Sequence, residues 1–197
     1  MGRFVFLLNT VEPPKHIATP PAGHEIAVVD QYAFRAQDLV GADGLLISQH
    51  LDEVHLGEHR ETLEVFLDRG GTLSLNGPVA RPCLDPPGQY HALPSQAARE
   101  WVIDMGAPHP ITAGVAAEDL TYRRGVIGFW ARGFFEVPEG ATVLTRFRAS
   151  RRPADWLWQR PEGGALFVHP GNDIWGYAGD ATSARPVFAQ FLDWASR

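Results

Sequence analysis

Apolar and polar positions alternate in a way that divides the chain into an amino-terminal α/β part and a β-rich remainder. Within Asp43 to Gly77, Gly44-Leu45-Leu46-Ile47-Ser48 is a short apolar run behind a turn signal. Leu63, Phe66 and Leu67 then fall at helical i, i+3, i+4 spacing, and Gly70-Gly71 precedes a second apolar run, Thr72 to Leu75. The pattern predicts strand, helix, strand, a βαβ unit that requires a parallel sheet covered by helices. Upstream, Arg3 to Leu8 reads as a first strand apolar on both faces and Glu25 to Asp30 as a second. The proline-bearing loop Val11 to Gly23 separates them, and Gln31 to Val40 reads as a helix.

Beyond the βαβ unit, Pro78 to Pro94 is a proline-rich ordered loop, Ala97 to Met105 reads as a helix with Trp101 and Val102 on its buried side, and His109-Pro110-Ile111-Thr112 is a turn. Strands are predicted at Gly125 to Trp130, Thr142 to Phe147, Asp155 to Gln159 and Ala165 to His169, with turns at Pro138-Glu139-Gly140 and Pro161 to Gly164. The last helix, Arg185 to Trp194, offers Val187, Phe188, Phe191, Leu192 and Trp194 to a core. The expected architecture is one α/β domain over residues 1–197. It is flavodoxin-like and doubly wound, with a mainly parallel sheet, helices on both faces and antiparallel strands added in the C-terminal third.

Composition narrows the partners. With 45% hydrophobic and 20% charged residues the chain has the make-up of a folded domain. Its 17 basic and 23 acidic residues give a net charge of −6, which argues against nucleic acid. The one basic cluster, Arg146, Arg148, Arg151 and Arg152, reads as a solvated turn, with an anion site as the alternative. The amino terminus lacks a small-residue cleavage site, and no run approaches the roughly 18 apolar residues of a membrane span, so a cytoplasmic protein without a membrane partner is expected. Cys83 is the only cysteine, which excludes an internal disulfide and a multi-thiolate zinc site.

In parallel sheets ligands lie beyond the carboxyl ends of the strands. That rule collects Asn9, Asp30, Gln49, His50, Asn76, His169, Asn172 and Asp173 at one edge, with Trp130 and Trp175 as walls. Amides, carboxylates and indoles in one cleft suit a small polar ligand such as a sugar or polyol. His169 is then the candidate base and Asp173 its orienter, compatible with a hydrolase or isomerase. The competing reading makes Asn172 and Asp173 caps of the following segment, His169 a satisfied buried histidine, and Asp30 a helix N-cap. His55-Leu56-Gly57-Glu58-His59 matches the H-x-x-E-H pattern of inverted zinc proteases, but its Gly57 weakens the helix and a solvated surface helix accounts for it, so neither metal nor cofactor is expected.

The order of elements, together with GGTLSLNG at 70–77, HPITAGV at 109–115 and GGALFVHPGND at 163–173, resembles the class I glutamine amidotransferase-like superfamily and, within it, its trehalose-utilisation (ThuA-like) branch. That resemblance implies a nucleophilic Cys on the turn after a strand and a late His-Pro-Glu. Here Asn76 occupies the turn, and Gly171 follows His169-Pro170 where the Glu would stand, so glutaminase chemistry is not expected. Cys83, seven residues beyond Asn76, reads as inert rather than as a displaced nucleophile. The loss of the triad opens an alternative to ligand binding, a non-catalytic interaction or homo-oligomerisation module, with Trp156, Trp158 and Phe134-Phe135 as candidate contact residues.

Overall fold

A computed structural model describes residues 1–197. Seven strands form the central sheet: β1 (Gly2–Leu8), β2 (His24–Asp30), β3 (Gly44–Ile47), β4 (Thr72–Asn76), β5 (Thr142–Val143), β6 (Trp156–Gln159) and β7 (Ala165–His169). Their order is β5-β6-β7-β4-β3-β1-β2. β2, β1, β3, β4 and β7 run parallel, and β6 is antiparallel to both its neighbours. The architecture is mixed α/β with a mostly parallel sheet and sparse helix. Its connections run one way from β1 to β2 and the other way through β3 and β4, which sets a switch point between β1 and β3.

Period-two alternation explains both faces of the sheet. Val5, Leu7, Leu45, Ile47, Leu73, Leu75, Leu166 and Val168 share one apolar cluster. Leu63, Phe66 and Leu67 of helix α2 (Arg60–Asp68) join that cluster, following the short helix α1 (Glu53–Glu58). Phe4, Phe6, Leu46 and Phe167 belong to the other cluster, with Val187, Phe188, Phe191 and Leu192 of α3 (Val187–Ala195). On that second face β4 contributes Thr72, Ser74 and Asn76, all buried and all polar. The apolar run of β4 is therefore one-sided, and its polar side needs partners.

Several expected elements differ. Gln31 to Val40 forms a turn and a single 3₁₀ turn, Ala36–Leu39, closed where Arg35 N–H donates to Asp38 at 2.7 Å. Its two buried apolar residues, Phe34 and Leu39, are five apart and define no helical face. Ala97 to Met105 is helical only over Ala98–Trp101, and Ile103–Met105 pairs antiparallel with Thr145–Phe147. That pairing draws Thr145 to Phe147 out of the central sheet, and only Thr142–Val143 of the expected strand stays in it. Gly125 to Trp130 keeps strand geometry only at Val126–Ile127.

The expected contact aromatics Trp156, Phe134 and Phe135 are core residues and Trp158 is half-buried, so they form no exposed patch. Arg148 and Arg151 both bond Asp104, at 2.8 and 3.2 Å, and Arg152 stacks on Phe134, so the basic cluster is used internally in part. No helix is long and apolar enough to cross a membrane.

Gly77 turns the chain out of β4 at φ +95°, and a Cβ there would collide with the Cα and Cβ of Gln49. Gly77→Ala is expected to lower unfolding stability by about 1–3 kcal/mol, read by urea denaturation. A change within 0.5 kcal/mol would mean that the turn relaxes freely.

Candidate functional site

The carboxyl edge is best built from Asp155, a residue the strand-end rule omits. β6 and β7 are antiparallel with Trp156 opposite Val168, which carries Asp155 to a place opposite His169. Both residues are buried, at 1% and 0% exposure. Asp155 Oδ1 lies 2.6 Å from His169 Nδ1. Its Oδ2 accepts the indole N–H of Trp130 at 2.6 Å and the hydroxyl of Thr145. The second ring nitrogen of His169 is 2.8 Å from the Asn172 carbonyl oxygen. The Trp130 ring closes over the imidazole edge-on, with centroids 4.6 Å apart. Protein oxygens thus occupy both hydrogen-bonding directions of His169, and Asp155 rather than Asp173 orients it.

Asn76 lies next to His169 in the β4–β7 register and is fully buried. Its amide donates to the Ile47 carbonyl at 3.0 Å and to Ser74 Oγ at 3.1 Å, and its Oδ1 accepts the Ile174 N–H at 3.4 Å. The side chain ties β3, β4 and the turn after β7 together. Asp173 closes the same junction, accepting the Ser48 hydroxyl at 2.7 Å and the Gln49 N–H at 2.8 Å. Burial is the largest influence on Asp173 and pushes its carboxyl above the ordinary aspartate value, against the lowering effect of those two donors.

The remaining edge residues do not share this cluster. Asn9 is exposed and donates to the His50 carbonyl at 2.7 Å, which bridges the switch point. Asp30 is exposed and accepts the Tyr32 N–H at 2.8 Å, in a local turn. Gln49 and Asn172 are half-buried and His50 is exposed. Trp175 packs edge-on against Phe6 in the core and walls no cleft. A cavity of ≈ 10 Å³ lined by Ser48, Gln49 and Arg81 lies at this edge, with room for about one water. A larger groove of ≈ 460 Å³ lies at the other end, between Leu39, Val40, Val65 and Phe66.

Gly171 has a steric origin: a Cβ there would overlap the Trp130 carbonyl, so the site accommodates no side chain. Cys83 is 1% exposed, and burial pushes its thiol up to about 12. In the H-x-x-E-H segment, His55 Nε2 faces the Gln31 carbonyl at 3.0 Å and Nδ1 lies 3.5 Å from Glu58, while the His59 ring packs on Phe34. No group of three or more His, Cys, Asp or Glu side chains is arranged to hold a metal ion. Asp155, Ser48 and Thr145 were the residues missed. The hairpin centred on residues 160–164 was the available signal for Asp155, because it sets the register that brings Asp155 to His169.

No protein-family model matches the chain, and no curated protein matches it. Among solved structures, a protein named as ThuA-like from Bacteroides uniformis superposes with a TM-score of 0.51 at 10% identity, over 99% of this chain and 89% of that one. The likeness is one of fold. A GH42 beta-galactosidase of G. stearothermophilus gives a TM-score of 0.49 at 15% identity, over 98% of this chain and 30% of that one.

Two outcomes follow. Because Asp173 is protonated more readily folded than unfolded, raising the pH from the ordinary carboxylate range through its elevated folded value ionises the unfolded state first and removes stability. Asp173→Asn lacks that contribution, so the wild-type-minus-variant stability is expected to fall as pH rises from 4 to 7, and an unchanged difference over that range would contradict it. Ellman's reagent is expected to label Cys83 only as fast as the native protein opens, whereas immediate labelling would show an accessible thiol.

Proposed function

We propose that this chain is a ThuA-like member of the glutamine amidotransferase-like superfamily in which the ancestral reaction edge has been absorbed into the core, and that it acts through its surface as a non-catalytic interaction module. The observation that carries the reading is the closed set of partners around Asp155, His169 and Asn76, all at 1% exposure or less. A nucleophile position filled by a buried amide that stitches strands does not attack a carbonyl. A histidine with both nitrogens facing protein oxygens has no direction left for a substrate proton. Cys83, sequestered with a raised pKa, offers no thiolate in their place.

A second reading keeps a small polar, carbohydrate-derived ligand at the same edge. It is favoured by Gln49 and His50 after β3 and Asn172 after β7, whose side chains make no internal hydrogen bond of their own. Thermal shift against sugars, polyols and nucleotides separates the two. A ligand at 100 times its Kd adds about 2.7 kcal/mol and raises Tm by several degrees in a domain of this size. The module reading expects no such shift. A shift of that size that disappears in Gln49→Ala or His50→Ala would replace it with ligand binding.

A further inference from the structure

Strand β2 is an unprotected sheet edge. It pairs with β1 alone, runs for seven residues without a proline, lysine or bulge, and exposes Ala27 and Val28. The amide of Gly2 donates to the Gly23 carbonyl at 3.2 Å, and that of Gln31 to the Leu8 carbonyl at 3.0 Å. In a parallel ladder this phase directs the backbone groups of Glu25, Ala27 and Val29 at β1, and those of His24, Ile26, Val28 and Asp30 outward. Two outward groups are already spent: His24 N–H donates to the Pro21 carbonyl at 3.3 Å, and the Asp30 carbonyl accepts Ala33 N–H at 3.0 Å. The His24 carbonyl, both groups of Ile26, both groups of Val28 and the Asp30 N–H remain free.

We infer that β2 is the docking edge for a second copy of this chain, whose β2 lies antiparallel with Ala27 opposite Ala27 on a two-fold axis. The inference rests on the interaction-module reading and names its partner. In that register Ile26 pairs with Val28 and His24 with Asp30. Ile26 and Val28 exchange two hydrogen bonds on each side of the axis, and each Asp30 N–H donates to a His24 carbonyl. Every free donor meets a free acceptor, and the spent His24 N–H and Asp30 carbonyl face one another. A self-pairing shifted by two residues instead leaves the Val28 carbonyl or the Ile26 amide against a spent group. The side chains agree with the same register. Ile26 meets Val28 and Glu25 meets Val29, and Asp30 lies opposite His24, whose ring is already bonded to Asp193 at 3.1 Å, so no like charges are opposed. A different protein strand lacks this self-matching of used and unused groups, which is why a second copy is the occupant argued for.

Sedimentation equilibrium of the full chain is expected to show a concentration-dependent dimer. Val28→Pro removes an N–H that faces solvent in the single chain, a place where proline is tolerated. The variant is expected to be monomeric with an unchanged circular dichroism spectrum. Ala27→Cys is expected to cross-link into a disulfide dimer on mild oxidation, because a non-hydrogen-bonded pair lies about 4.5 Å apart at Cα, within the span a disulfide bridges. Val65→Cys, exposed on α2, is expected not to cross-link. Cys83 is buried and does not compete. A chain monomeric at every concentration with Ala27→Cys uncross-linked overturns the inference, as does a dimer that survives Val28→Pro. Ligand-induced stabilisation bears on the module reading alone, so the two fail by different experiments.

Discussion

The carboxylate of Asp155 is the constraint around which the carboxyl edge is assembled. A carboxylate taken out of water costs several kcal/mol unless its oxygens are matched. Here the imidazole of His169, the indole of Trp130 and the hydroxyl of Thr145 match them. Each partner comes from a different segment: β7, the chain after Val126–Ile127, and the strand that leaves the sheet to pair with Ile103–Met105. Removing one member of such a buried group strands the others, at a cost of about 3–5 kcal/mol. The requirement therefore fixes how the β-rich excursion from residue 98 to 155 folds back over β7 and β4. Asn76, Ser74, Ser48 and Asp173 extend the same logic across the sheet, each satisfying a group that the polar side of β4 or the end of β3 would otherwise bury alone.

Much of the sheet was legible because its strands are short apolar runs bounded by Gly and Pro. Ala165 to His169 is a strand with those bounds, and Arg3 to Leu8 and Thr72 to Leu75 lie in strands one residue longer, at Gly2 and at Asn76. The failures have physical causes. Helical spacing was weak in Gln31 to Val40, and in Ala97 to Met105 the run Val102-Ile103 favoured an extended partner at Thr145 to Phe147 over a helix. The strand-end rule found Asn76, His169 and Asp173 but paired the histidine with the wrong acid. Proximity in sequence suggested Asp173, whereas antiparallel register selects Asp155, fourteen residues earlier. Of the aromatic residues offered as a contact surface, Trp156, Phe134 and Phe135 are core and Trp158 is half-buried, since alternation alone does not say which side of a strand faces water.

A closed edge changes what kind of protein this sequence describes. In parallel α/β sheets the strand ends are where ligands lie, and polar residues there invite a catalytic reading. Yet the same residue types serve when a sheet buries hydroxyls, amides and carboxylates that need partners. Satisfaction of every hydrogen-bonding direction, rather than the identity of the side chains, distinguishes the two. Surface features then gain weight, and the edge of β2, at the opposite side of the switch point from β4 and β7, pairs with β1 alone.

Native-state hydrogen exchange tests the central claim most directly. The reporters are the Trp130 indole N–H, bonded to Asp155, and the amides of Gln49, Ile174 and Gly77, bonded to Asp173, Asn76 and the His169 carbonyl. If this edge is core, all four exchange only through global unfolding and share its free energy and denaturant dependence. Exchange of this group through a local opening well below the global value would contradict the account and mark the edge as a site that opens.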